Sequence, residues 1–169
     1  AKRLYPKARI QMLWILQRLN ALPTPLLDAA LADANPMVQT HALRILSEGK
    51  TISSHQRQLV SKALEVANPH VQRMATEVVG TFPDVANVER LLSLYKASSD
   101  SDNHLKYTVL VGLRQNLRND AIMKAVAKAK WNEEQLTTLM KVIPDVPLES
   151  AASFALNYLQ THQLPQAQM

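Results

Sequence analysis

Ala34-Asn35-Pro36-Met37-Val38-Gln39, with Ala42 following, returns 33 positions later as Ala67-Asn68-Pro69-His70-Val71-Gln72, with Ala75 following. Asn directly ahead of Pro marks a helix start. The Asn side chain accepts from the first free backbone N–H groups, and Pro presets φ where no N–H partner is needed. Val and Ala four residues apart then share one face. A helical unit recurring at this period cannot bury its apolar face alone; it is covered by stacking on its neighbours. The phrase therefore predicts an all-α solenoid and points to an interaction scaffold rather than a catalytic pocket.

The flanking sequence extends the pattern. Upstream, a first helix over about residues 6–19 presents Met12, Ile15, Leu16 and Leu19, widened by Leu13 and Trp14. Asn20 to Pro23 breaks it. Thr24 is expected to cap a helix that buries Leu26, Leu27, Ala30 and Leu31. Asn35 caps the next, with Val38, Ala42, Ile45 and Leu46 inward, and Gly49 stops it. The second pair repeats this: Ser53 or Ser54 opens a helix with Leu59, Val60, Ala63 and Leu64. Asn68 then opens one with Val71, Ala75, Val78 and Val79, ended by Gly80 and Pro83. A third pair carries Val88, Leu91, Leu92 and Leu94, then Leu105, Val109, Gly112 and Leu113 behind the cap Asp102, at an offset of 34. The first helix fits the second-helix pattern at an offset of 30, Ala8, Met12, Ile15 and Leu16 matching Val38, Ala42, Ile45 and Leu46.

After Asn116 the register fails. Asn119 or Asp120 opens a short helix, Asn132 another, with Glu133 and Glu134 at the positive end of its dipole. Pro147 is expected to start a last helix with Ala151, Phe154, Ala155 and Tyr158 inward. The expected organisation is one repeat domain over 1–169: regular pairs at 6–115, an irregular repeat and cap at 116–162, and a frayed tail at 163–169. The chain starts Ala-Lys-Arg, without initiator Met or apolar leader, and reads as part of a longer protein.

Composition agrees with an all-α chain. There are 3 Gly, no Cys and only 5% aromatics, so the core is aliphatic. Without Cys there are no disulfides, thiolate metal sites or Cys nucleophiles. The apolar runs are too short to cross a bilayer. The net charge of +5 is local: Lys2, Arg3, Lys7, Arg9 and Arg18 lie in the first twenty residues with no acid among them. The remainder balances 14 basic against 14 acidic residues. A second basic cluster, Lys106, Arg114, Arg118, Lys124, Lys128 and Lys130, is opposed in sequence by Asp120 alone, and the last segment is acidic.

No catalytic motif emerges. His41, His55, His70, His104 and His162 include no pair at the i, i+4 spacing of a zinc site. There is neither a phosphate-cradling Gly loop nor a Gly-x-Ser-x-Gly. Trp14 lies one turn from Arg18 and is positioned for stacking or for packing in the core. Trp131 sits at a helix junction beside Lys128 and Lys130. The basic cluster is read as a solvated face, with a phosphate-tracking ridge as the sharper alternative.

The turn pattern Asp-x-Asn-Pro-x-Val-Gln-x-x-Ala resembles that of HEAT repeats over about residues 6–115. Asp33, Pro36, Val38 and Ala42 match best, then Pro69, Val71 and Ala75. The family pattern has Arg after the Val, reaching an Asp of a neighbouring unit. Here Gln39 and Gln72 hold that place, Arg9 and Lys106 hold it in the outer units, and the counterpart of Asp33 is Val66. The resemblance implies a right-handed α-α superhelix of about four to five helix pairs, its second helices lining a concave binding face. Arg9, Gln39, Arg73 and Lys106 are the candidates for that face. Met12-Leu13-Trp14 and His41-Ala42-Leu43-Arg44 are also similar to HEAT segments of large secreted bacterial proteins, between a propeller dehydrogenase-like domain and a c-type haem domain. That likeness implies a secreted or periplasmic setting, with no cofactor in this segment because no Cys-x-x-Cys-His occurs. The expected function is a non-catalytic scaffold for protein–protein or interdomain contacts. The alternative is a nucleic-acid-binding module resembling the HEAT-like alkylpurine DNA glycosylases, which would need a basic concave face with a Trp and a buried Asp.

Overall fold

The computed structural model describes residues 5–161; Lys2, Arg3, His162 and the tail at 163–169 lie outside this range. The described residues form ten α-helices and one 3-10 turn, with no strand. The helices are α1 (Pro6–Arg18), α2 (Thr24–Leu31), α3 (Pro36–Ser47), α4 (Ser54–Leu64), α5 (Pro69–Thr81), α6 (Val85–Ala97), α7 (Asn103–Leu117), α8 (Asp120–Lys128), α9 (Glu133–Met140) and α10 (Glu149–Thr161). The 3-10 turn, Ile143–Asp145, lies between α9 and α10. No helix among the described residues is long and apolar enough to cross a membrane.

Side-chain caps set most of the helix starts. Asn35 accepts from the N–H groups of Met37 and Val38, and Asn68 from those of His70 and Val71. Ser53 caps α4 in a reciprocal box with Gln56, and Asn132 caps α9 likewise with Gln135. Asp84, Asp102 and Asn119 cap α6, α7 and α8. Each such cap contributes about 1 kcal/mol by satisfying an otherwise orphaned donor. Thr24 does not act as expected: it lies inside α2, whose preceding residue Pro23 has no capping side chain. Gly80 likewise lies within α5 instead of ending it. The stop after α1 comes from Asn20 at φ 51°, with Ala21 N–H donating to Leu16 O and Asn20 N–H to Gln17 O. This left-handed close satisfies two of the helix's last carbonyls.

Packing follows chain order. Within pairs, α2 lies on α3, α4 on α5 and α6 on α7. Between pairs, α1 packs on α3, α3 on α5 and α5 on α7, while α2 packs on α4, α4 on α6 and α6 on α8. The expected inner faces of α3, α5, α6 and α7 are buried, with Ala42, Val71, Ala75, Val78, Leu91, Val109 and Leu113 at 0% exposure. At about 1.5–3 kcal/mol for each fully buried large aliphatic side chain, this continuous core is the main stabilising term. Helix α5 crosses α7 closely at Gly112. A Cβ on Gly112 would sit 2.8 Å from Thr76 Cγ2, so the glycine permits that approach.

The inner face expected for α1 is not the observed one. Ile10 and Leu13 are its buried residues, while Met12, Ile15 and Leu19 face outward. The reason is coverage. Helices α3, α5 and α7 each pack on a first helix of their own pair and on a preceding second helix; α1 packs on α3.

Candidate interaction surface

The repeated Gln has a structural role. Gln39 is only 8% exposed, and its Nε2 donates to Leu31 O at 3.0 Å. Gln72 Nε2 donates to Leu64 O at 3.3 Å. Leu31 and Leu64 are the last residues of α2 and α4, whose terminal carbonyls lack helical donors. In each unit, the Asn closes the start of the second helix and the Gln closes the end of the first.

The other three candidates are engaged in ion pairs. Arg9 pairs with Asp33, in the turn ahead of α3. Asp33 is buried and also accepts from Asn35 N–H at 2.8 Å. Arg73 reaches Asp102 at 3.5 Å, where Asp102 caps α7, and also meets His70 Nδ1 at 3.0 Å. Lys106 pairs with Asp100 and lies 5.3 Å from the centre of the Tyr95 ring. The Asp100 carboxyl is held below the ordinary aspartate range by the hydrogen bond from Lys106, and the ammonium of Lys106 is held above its ordinary value by the same bond. The structure therefore does not bring Arg9, Gln39, Arg73 and Lys106 together as a free binding row. Arg9 and Arg73 join a second helix to the turn of the next unit, and Gln39 and Lys106 act within their own unit.

The basic cluster is partly neutralised, by one acid distant in sequence and by one within the cluster. Arg114 lies 3.6 Å from Asp145, and Lys124 lies 2.6 Å from Asp120. Asp120 also accepts from Ser150 Oγ at 2.8 Å. The hydrogen bond from Lys124, then that from Ser150, lowers the Asp120 carboxyl, and Asp120 in turn raises Lys124. Arg118, Lys128 and Lys130 make no ion pair among the described residues. A phosphate ridge of six cations is thereby cut to three.

The tryptophans are pinned. Trp14 Nε1 donates to His41 Nδ1 at 3.1 Å in an edge-on contact between α1 and α3, in place of stacking on Arg18. Trp131 Nε1 donates to Val126 O at 2.8 Å, closing the end of α8. Among the described residues, no three His, Cys, Asp or Glu side chains come together as a metal site.

Sequence reasoning passed over Asn116, which is 0% exposed. Its Oδ1 accepts from Asp84 N–H at 3.0 Å and Asn87 Nδ2 at 3.1 Å; its Nδ2 donates to Val79 O at 3.0 Å and Gly112 O at 2.9 Å. All four hydrogen-bonding positions of the amide are used. The available signal was its position: Asn is a poor helix interior residue, yet it falls on the apolar face with Val109, Gly112 and Leu113.

What stays open on the outer surface is grooves between neighbouring helices. One of about 310 Å³ between α3 and α5 is lined by Met37, Thr40, His41 and His70. Another of about 430 Å³ between α5 and α7 is lined by Glu77, Thr81, Thr108 and Gln115. Between α4 and α6 lies one of about 490 Å³ with Glu65, Arg90 and Ser93 on its walls. No known protein family and no curated protein matches this chain.

Proposed function

We propose that this chain is a non-catalytic helical-repeat scaffold, a right-handed HEAT-like α-α superhelix. Its second helices contact another protein or a neighbouring domain of a larger, secreted or periplasmic protein. The observation supporting this reading is the serial packing of α1, α3, α5 and α7, with Gln39 and Gln72 tying each second helix to the first helix of its own pair. Units that touch only their neighbours present long, continuous surfaces suited to extended partners. The grooves on either side of α5 are the contact surface in this reading. Their walls mix apolar and polar groups around Met37, Thr40 and Thr108, with a single carboxylate at Glu77, a composition suited to a protein segment.

The test places a photo-crosslinking amino acid at Thr40 in α3 and, separately, at Thr108 in α7, and irradiates the protein in its source cells. The same polypeptide captured from both positions, and competed away by unlabelled chain, supports the scaffold. Salt-sensitive binding of duplex DNA, tight at about 50 mM salt and lost at about 200 mM, would overturn it in favour of a nucleic-acid module.

A further inference from the structure

The groove between α3 and α5 carries two histidines whose ring nitrogens are not equivalent. His41 Nδ1 accepts from Trp14 Nε1 at 3.1 Å, and His70 Nδ1 lies 3.0 Å from Arg73 Nη2. Indole and guanidinium nitrogens only donate, so each Nδ1 supplies its lone pair. A neutral ring that accepts at Nδ1 carries its proton on Nε2. Both rings line the same groove of about 310 Å³. Each brings to it a ring whose one free polar group is an N–H donor. A nitrogen holding that proton has no lone pair for a metal ion, so the pair suits an acceptor.

The rest of the lining has the same bias. Asn68 Oδ1 is spent on the N–H groups of His70 and Val71, which leaves its Nδ2 as a donor. Thr40 Oγ1 donates to Pro36 O and is the one side-chain oxygen on these walls with a lone pair still free. Met37, exposed at the rim, adds apolar surface. The first-turn N–H groups of α3 and α5 are already held by Asn35 and Asn68, so the open donors are side chains.

The surrounding charges do not oppose an anion. No carboxylate lines this groove. Arg44 on α3 lies 3.6 Å from Glu48, Arg73 on α5 lies 3.5 Å from Asp102, and Arg9 on α1 pairs with Asp33. The remaining charged side chains of these three helices are Lys7 and Arg18 on α1 and Glu77 on α5. Glu77 lines the α5–α7 groove instead. The two grooves beside α5 therefore differ in character: one presents donors, the other a carboxylate.

We propose that the α3–α5 groove binds an acidic polypeptide segment, whose side-chain carboxylates accept from the Nε2–H groups of His41 and His70. This rests on the scaffold reading above and names the chemistry of its partner. A carboxylate accepts several N–H donors at once, and hydrogen bonds to a charged acceptor are the stronger kind. A lysine-bearing segment would bring donors to donors. Trp14 and Arg73 are positioning residues in this site. Each fixes the tautomer of one histidine without touching the partner, and Arg73 does so while its Nη1 stays near Asp102.

Two measurements on the full chain test this. Long-range proton–nitrogen NMR of the imidazole rings at about pH 8 reads the tautomers directly. Both rings should carry the proton on Nε2, and Trp14→Phe should release His41 alone from that state. A random peptide library displayed on phage and selected on the chain should return binders enriched in Asp and Glu. The strongest binder should lose about tenfold in affinity when its acids become amides, the equivalent of one hydrogen bond to a charged group. His70→Phe, at an exposed first-turn position, should abolish that preference for acid over amide; His41→Phe is the second variant. Rings protonated on Nδ1 would overturn the proposal. So would a library that returns no binder, binders without acid enrichment, an acid preference that survives both variants, or duplex DNA binding that His70→Phe removes. A polypeptide still captured from Thr40 and Thr108 in any of these cases keeps the scaffold and discards the acidic partner.

Discussion

Replacing Asn116 with alanine cuts four hydrogen bonds at a site with no access to water. The losses differ by partner. Gly112 O belongs to the ladder of α7 and keeps its helical donor. Val79 O still receives Asn87 Nδ2, at 3.3 Å, and Asn87 Nδ2 also lies 3.4 Å from Phe82 O. The N–H of Asp84, which enters the turn between α5 and α6, is left without its acceptor. One orphaned donor costs about 1–3 kcal/mol, and each bond lost between groups that keep another partner about 0.5–1.5 kcal/mol. The expected total is about 3 kcal/mol. For a chain of this length that is a fall in Tm of roughly 6–12 °C. Urea unfolding followed by far-UV circular dichroism reads it directly. Asn116→Asp should lose at least as much, because its second oxygen would face Val79 O and Gly112 O in place of a donor. A loss below about 1 kcal/mol for Asn116→Ala would refute the assignment of Asn116 as the junction of α5, α6 and α7.

Gly112→Ala places a methyl group 2.8 Å from Thr76 Cγ2, and should cost about 1–3 kcal/mol in the same assay, with Thr76→Ser partly restoring the loss. Asn35→Ala and Asn68→Ala each remove a cap shared by two N–H groups, and should each cost about 1 kcal/mol; their sum should hold in the double variant because they start different helices. For Asp120, whose folded carboxyl is held low by Lys124 and then Ser150, an NMR titration should find a midpoint below the ordinary aspartate value, moving up in Lys124→Met. Its contribution to stability is present above the unfolded aspartate value and is lost as pH falls through the depressed folded value. Lys124, raised by Asp120, contributes fully below the unfolded lysine value and loses that contribution as pH rises through its folded value.

Most helix starts were legible because a capping Asn, Ser or Asp acts on N–H groups within its own turn, as Asn35, Asn68 and Asn132 do. The inner faces of α3 and α5 were legible for a related reason: their apolar spacing has one solution once both sides are covered. Helix α1 broke the rule because periodicity identifies an apolar stripe but not whether another helix lies over it. Its stripe of Met12, Ile15 and Leu19 read as core and faces outward. The candidate site was less legible still. Gln39 and Gln72 stood out only as departures from an expected Arg, since their acceptors are set by how closely one helix ends beside the next. Arg73 and Asp102 lie on different helices, and nothing local to either residue pairs them. Charge order alone understates the acids that meet the cluster at 106–130 for the same reason, because Asp145 reaches Arg114 only through the fold.

The Gln and Asn contacts have a mechanical consequence. Gln39 and Gln72 each join the two helices of one unit, while Arg9 and Arg73 reach only as far as the next turn. A pull applied at the two ends of the chain would therefore load the units in series, each held by its own short set of bonds. Extension in an optical trap should proceed by discrete releases, with the junction knotted by Asn116 and Gly112 yielding last.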